Sequence, residues 1–566
     1  MAPGNAPDAA NKDAPMSLAQ NRHSSRRAIR LPSPWSWGAA LIAMLVLAPI
    51  LAVFWIAAFP AENIWPHLVA TTLPRYLGNT LILMFGVGLA AGASGSGAAW
   101  LISRYDFPGR RWLEYLLLLP LAIPAYVGAY ALVDFLEYAG PVQTGLRQIF
   151  GWQTARDYWF PEIRSMGAAI VVLAAALYPY VYLLARNAFR EQSASSHEVA
   201  QSLGAGALGR FLRVGLPLAR PAIAAGMAIV MMEAVNDFGT VDYFAVQTLT
   251  TGIFSVWLQS NNAGGAAQIA STVLALVILL VLLEKSSRRR MRFFNLSTRH
   301  RPVARKRLGR SMGWGASIAC FLPFAMGFLL PGGVILKHAL ANADAWTDPA
   351  LWRAGVHTLT VGGIAAVATV LGGIFLVYGV RISRAPLPRL LMPVTTIGYA
   401  APGAVLGVGI LIPLAALDHL LADTVETVTG IDIGLVLTGS AFALVLAYFV
   451  RFFAIAQGAA DAAMGRVSPN LAAAARSLGR SQGQTLRQIY YPLIRASVAS
   501  SLLLVFVDCV KELPATLLLR PFNYETLATR VHDQASLENL GQAAPAAVLV
   551  TLTGLAAVAL LARTSR

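Results

Sequence analysis

Two stretches of an otherwise apolar chain carry carboxylates: MMEAVNDFGTVDYF over 231–244 and VDCVKELPATLLLRPFNYETLATR over 507–530. Glu233 and Asp237 lie four residues apart in the first, and Asp508 and Glu512 repeat that spacing in the second. On a helix, this spacing places both acids of a pair on one face. Charged groups inside a membrane span are costly and by default mark pathways, and oxygen-rich carboxylate sites suit hard cations. The expected chemistry is a translocation path lined by Glu233, Asp237, Asp508 and Glu512, with transient metal coordination by the same four. Lys511 leaves a structural alternative open, in which it pairs with a neighbouring acid between helices. Intrinsic catalysis is not indicated. GASGSGAAW (92–100) lacks the Gly-Lys-Ser/Thr ending of a phosphate-binding loop, and no His-Glu-x-x-His pair or Cys/His cluster occurs. Gly92, Gly95 and Gly97 read instead as small residues that let helices approach.

The elements that must position these acids follow from composition. The chain is 57% hydrophobic and 13% charged, against roughly 25% charged in a soluble domain. A span needs about 20 apolar residues. Twelve are expected: 37–59, 79–103, 113–135, 166–188, 221–243, 267–284, 312–336, 356–380, 390–416, 433–456, 497–519 and 544–562. With the N-terminus inside, 33 of the 44 Lys and Arg fall in inner segments and 8 in outer loops, as the positive-inside rule requires. The net charge of +17 is therefore membrane topology rather than a nucleic-acid surface. The two cysteines, Cys320 and Cys509, lie in apolar runs and read as buried hydrophobes. The polar, low-complexity stretch 1–35 is expected to be a disordered cytoplasmic tail. The basic run 285–310 is expected to be a cytoplasmic linker against anionic lipid, dividing a first half (36–284) from a second (311–566).

Each half carries the same loop between its fourth and fifth spans. HEVAQSLGAGALGRFLRVGLPLARP (197–221) and AAAARSLGRSQGQTLRQIYYPLIRA (472–496) align at an offset of 275 residues. Ser202-Leu203-Gly204 falls on Ser477-Leu478-Gly479, Pro217-Leu218 on Pro492-Leu493, Glu233 on Asp508 and Asp237 on Glu512. These are parallel repeats, expected to be related by a pseudo-twofold axis along the membrane normal. Within each loop a helical turn ends at glycine, which takes the left-handed conformation that stops a helix. A second short helix at an angle would then complete a cytoplasmic knob.

The pattern Glu-Ala-Ala, three residues, Gly, nine residues, Ile, one residue, Leu-Pro is the cytoplasmic loop signature of ABC importer permeases. Residues Glu198, Ala200, Gly204, Val214, Leu216 and Pro217 resemble it, as do Ala473, Ala474, Ala475, Gly479, Ile489, Tyr491 and Pro492. DFGTVDYFAVQTLTTGIF (237–254), KELPATLLLRPFNYETLATRV (511–531), RYLGNTL (75–81) and PLAIPAYVGAYAL (120–132) extend the resemblance to the fused, two-domain ferric-iron permeases. The resemblance implies an all-α integral membrane protein with the type I ABC importer permease fold. It also implies coupling loops at 191–220 and 466–495 that dock on a cytoplasmic ATPase homodimer. ATP and Mg would be bound by that partner, with no cofactor in this chain, and a periplasmic ferric-binding protein would deliver the ion. The implied location is the bacterial inner membrane, with both termini cytoplasmic. Thiamine, polyamine and phosphonate permeases share the loop signature, and a secondary transporter is the reading from another class. Where the signature has glutamate, the second loop has Ala473, so a carboxylate contact to the ATPase is available in the first half alone.

Overall fold

Long apolar runs in hydrocarbon must satisfy their own backbone, and helices do so within one segment. The computed structural model, which describes residues 34–60, 62–289, 305–382 and 386–564, is accordingly built of helices. The expected tail and most of the linker lie outside the described residues. Among the described residues, eleven helices are long and apolar enough to cross a membrane, or twelve if one bent pair counts as a span. The bent pair corrects the expected straight span at 113–135: Arg110–Ala122 and Ala125–Phe150 meet at 97°. Pro120 and Pro124 are the cause, because proline withholds an amide and forces the preceding residue to extend. Ile123 is extended at φ −100°, ψ 125°. The second half breaks at the equivalent place, with Ala401 extended before Pro402. Its third span is therefore Gly403–Thr429 rather than 390–416.

The repeat is visible in the hydrogen bonds as well as in the sequence. Thr248 and Thr251 form a capping box at the start of Leu249–Phe254, and Thr526 and Thr529 form one at the start of Leu527–Ser536. Thr80 Oγ1 accepts from the Leu249 amide at 3.0 Å, while Thr358 Oγ1 accepts from the Leu527 amide at 2.8 Å.

The two halves embrace through their first spans. Pro34–Ala58 packs on Pro349–Ile382 and Gly403–Thr429 of the second half, and Arg310–Ala341 packs on Ala125–Leu136 of the first. Small residues permit close approach between the halves: a Cβ on Gly409 would strike the Pro49 carbonyl, and one on Gly327 the Ala175 carbonyl of Met166–Glu191. Gly92 and Gly95 likewise face Met227 and the Tyr178 backbone, whereas Gly97 faces open space. Cys320 and Cys509 are buried and free. Tyr105–Asp106 pairs in parallel with Lys306–Arg307, tying the end of the linker to the first half.

Candidate translocation chamber and coupling helices

The fifth span of each half stops where its second carboxylate begins. Leu216–Asn236 ends at Asn236, and Asp237 turns extended at φ −68°, ψ 134°. Tyr491–Lys511 ends at Lys511, and Glu512 does the same at φ −69°, ψ 120°. Each acid then caps a new short helix. Asp237 Oδ1 accepts from the amides of Thr240 and Val241 at 3.0 and 3.1 Å, and Oδ2 from Thr240 Oγ1 at 3.0 Å. Glu512 Oε2 accepts from the Ala515 amide at 3.1 Å and from Thr516 Oγ1 at 3.3 Å. The expectation of two acids one turn apart on a continuous helix is thus corrected. The helix gives way because a carboxylate followed three and four residues on by free amides forms an N-cap.

The acids do meet across the halves. Glu233, Asp237, Asp508 and Glu512 all line one cavity of about 190 Å³, together with Lys511 and Arg451. Broken third spans contribute to the wall, through Pro120, Pro124 and Tyr126 from the first half and Tyr399 from the second, beside Leu177 and Tyr180 of the fourth span. This is the placement expected where discontinuous helices surround a substrate path. The four acids do not form a metal ligand set: among the described residues no group of three or more His, Cys, Asp or Glu could hold a metal ion. Asp237 and Glu512 have their oxygens engaged, and Glu512 Oε1 also lies 3.2 Å from Arg451 Nη1 in an ion pair. Lys511 Nζ donates to the Leu121 carbonyl at 2.5 Å and is also drawn electrostatically to Asp508, three residues earlier on the same helix. Glu233 keeps one long contact, from the Tyr399 hydroxyl at 3.5 Å.

Sequence reasoning missed Arg451 as a partner, although a lone arginine in AFALVLAYFVRFFAIA (441–456) is the kind of intramembrane charge that marks a site. It also passed over Tyr126 and Asn236. Both are buried, both line the cavity, and Tyr126 Oη and Asn236 Oδ1 find no hydrogen-bond partner among the described residues.

At the opposite end, the coupling loops take the predicted turn. Helices Ala194–Ser202 and Pro469–Ser477 run into Gly204 at φ 82° and Gly479 at φ 75°. The Ala205 amide reaches back to the Ala200 carbonyl at 2.9 Å, and the Arg480 amide to Ala475 at 3.0 Å, the six-to-one bond of a glycine-terminated helix. The second short helix of the expected knob is instead the N-terminal end of the fifth span: Ala207–Asn236 and Gln482–Lys511 are continuous. A π turn at Phe211–Gly215, and another at Leu486–Tyr490, precedes Pro217 and Pro492, absorbing the amide that proline cannot supply. Glu198, Ala473, Pro217 and Pro492 are exposed, Ala200 and Leu216 are half-buried, and Ala475 is buried. Leu203 and Leu478 are 81% and 80% exposed, matched apolar side chains pointing away from the bundle.

The two coupling helices are anchored by different chemistry. In the first, Arg104 Nη2 donates to the Phe189 carbonyl at 2.9 Å and to Gln192 Oε1 at 2.8 Å, and lies 3.0 Å from His197 Nε2. Gln192 Nε2 donates onward to the Gly215 carbonyl at 2.9 Å. In the second, Ala472 replaces the histidine and joins an apolar cluster with Met464, Tyr490 and Ile494. Burial, with Arg104 and Arg210 nearby, pushes His197 down to about 4. Its unfolded value is near 6.5, so its contribution to stability is complete above about pH 6.5 and is lost as pH falls towards 4. Thermal unfolding of the detergent-solubilised protein should weaken over that window, and His197→Gln should flatten the dependence. Identical pH profiles for the two proteins would exclude this anchor.

Comparison with known proteins gives a matching family model, the binding-protein-dependent transport system inner membrane component, over residues 86–293 and again over 368–565. The Fe(3+)-transport system permease protein FbpB 2 of Haemophilus influenzae is 26% identical over 489 residues, 85% of this chain and 88% of that protein. The ferric transport system permease protein FbpB of Actinobacillus pleuropneumoniae is 21% identical across 85% of this chain and 70% of its own length. The sulfate transport system permease protein CysT of Escherichia coli is 28% identical over 41% of this chain and 82% of itself.

Proposed function

Given that the chain belongs to the family of binding-protein-dependent transport system inner membrane components, we propose that it is the fused permease of an ATP-driven ferric-iron importer. The observation that carries the substrate is the colinear match to ferric permeases through both halves; the sulfate permease matches less than half of the chain. A cytoplasmic ATPase homodimer, holding ATP and Mg, receives the exposed faces of Ala194–Ser202 and Pro469–Ser477, while a ferric-binding protein docks on the periplasmic face. Both termini are cytoplasmic in this arrangement. The chamber between Glu233 and Asp508 is the intramembrane stage of the path. An intramembrane acid facing water is retained for what passes it, because its desolvation is otherwise a standing cost.

Iron-55 uptake by cells that depend on this permease tests the reading. Wild type should accumulate the label only with the ATPase and binding protein present. Glu233→Gln combined with Asp508→Asn should lower uptake at least tenfold at unchanged expression. Uptake of labelled sulfate in place of iron would overturn the ferric assignment, and full iron uptake by the double variant would remove these acids from the path.

A further inference from the structure

The chamber is not lined as a cage for a bare cation. Of its four carboxylates, Asp237 is occupied by helix capping, and Glu512 by capping and Arg451. The acids without a capping role are Glu233, which takes a 3.5 Å contact from Tyr399 and feels Arg451, and Asp508, which feels Lys511 and Arg451. Two cations share the same wall. Lys511 has three N–H donors and spends one on the Leu121 carbonyl. Arg451 has five; its Nη1 sits within ion-pair range of Glu512 yet makes no aligned hydrogen bond. Tyr126 Oη and Asn236 Oδ1 add two buried polar atoms without partners among the described residues. Buried polar groups in folded proteins are nearly always satisfied, so these mark a ligand or its water. The cavity of about 190 Å³ far exceeds the roughly 10–15 Å³ one water needs, leaving room for an ion with other ligands attached.

Resting on the ferric reading above, we propose that the chamber binds iron(III) while it still carries an anionic oxygen ligand, such as a carboxylate. Glu233 and Asp508 face the metal side of that complex, and Lys511 and Arg451 face the anionic side. A naked trication would be repelled by both cations at close range. A complex presenting both signs satisfies all four groups, and the Tyr126 hydroxyl and Asn236 carbonyl can hydrogen-bond to metal-bound water or to the ligand.

The full-length permease in lipid nanodiscs, titrated with iron-55 complexed by carbon-14 nitrilotriacetate, tests this. Both labels should bind in a one-to-one ratio. Lys511→Gln should weaken binding of both about tenfold, and Lys511→Arg, which keeps the charge, should restore it. Glu233→Gln should likewise weaken both. Iron bound without the chelator label, or affinities unchanged by Lys511→Gln and Glu233→Gln, would overturn the proposal. So would equal binding of metal-free nitrilotriacetate or of sulfate, which would make the chamber an anion site. Whole-cell iron uptake separates the two levels. Wild-type cells that import iron through a permease failing the dual-label test refute this inference alone, whereas cells that import none refute the ferric reading.

Discussion

Glu512→Ala is expected to be the most destabilising single change in the chamber. Glu512 is 5% exposed and is the ion-pair partner of Arg451. Its removal strips Arg451 of the carboxylate it pairs with in the protein interior and leaves only the looser attraction of Glu233 and Asp508, a loss that approaches the about 3–5 kcal/mol of a broken buried pair. The cap of Pro514–Leu519 goes with it, worth about 1 kcal/mol. Asp237→Ala provides the matched comparison: that acid caps Gly239–Tyr243 in the same way, and no ion pair to it is found among the described residues. Asp237→Ala should therefore cost only about 1 kcal/mol. Glu512→Ala combined with Arg451→Leu should recover most of the loss, because removing both charges also removes the desolvation that the pair had to offset. Thermal melting of the detergent-solubilised permease, followed by tryptophan fluorescence, reads all four proteins. Equal losses for Asp237→Ala and Glu512→Ala would show that capping, not the ion pair, is what Glu512 supplies.

That contrast also marks what the sequence could reveal. The equivalence of Asp237 and Glu512 was legible from the 275-residue offset, as were the two halves and the location of the coupling turns. Those features rest on periodicity and local chemistry: apolar runs long enough to span, and glycine where a helix must stop. What was not legible depends on partners distant in sequence. Nothing local tells Glu512 that Arg451 will arrive from the fourth span, or brings the Leu121 carbonyl of the other half to Lys511. The break at Asp237 was misjudged for another reason. Four-residue spacing is compatible both with one helix face and with an acid that ends one helix and starts the next. Thr240 and Thr516, set three or four residues past their acids, carried the local signal for a cap. The continuity of Ala207–Asn236 was hidden by Pro217, since a π turn can carry a helix past a proline that would otherwise end it.

The coupling loops give the second large effect. Gly204 and Gly479 hold φ of 82° and 75°, and a Cβ at either would meet nothing within 4 Å. Substitution therefore creates no clash. The penalty is in the backbone, about 1–2 kcal/mol for an L-residue held left-handed and more for a β-branched one. The chain can escape it by rotating the short helix that presents Leu203 or Leu478. In vesicles reconstituted with the ATPase and binding protein, Gly204→Val or Gly479→Val should lower transport at least tenfold while ATP hydrolysis persists. Asn at the same positions should retain transport, because asparagine tolerates the left-handed region. The two sites should not respond equally. The first helix keeps an exposed Glu198 and is tethered through Arg104, Gln192 and His197, so part of its docking geometry survives a strained turn. The second presents Ala473 and rests on apolar packing, which leaves the glycine turn as its main determinant of orientation. Gly479→Val should accordingly uncouple more completely than Gly204→Val. The reverse order would mean that the carboxylate, not the turn, sets how tightly each half is gripped.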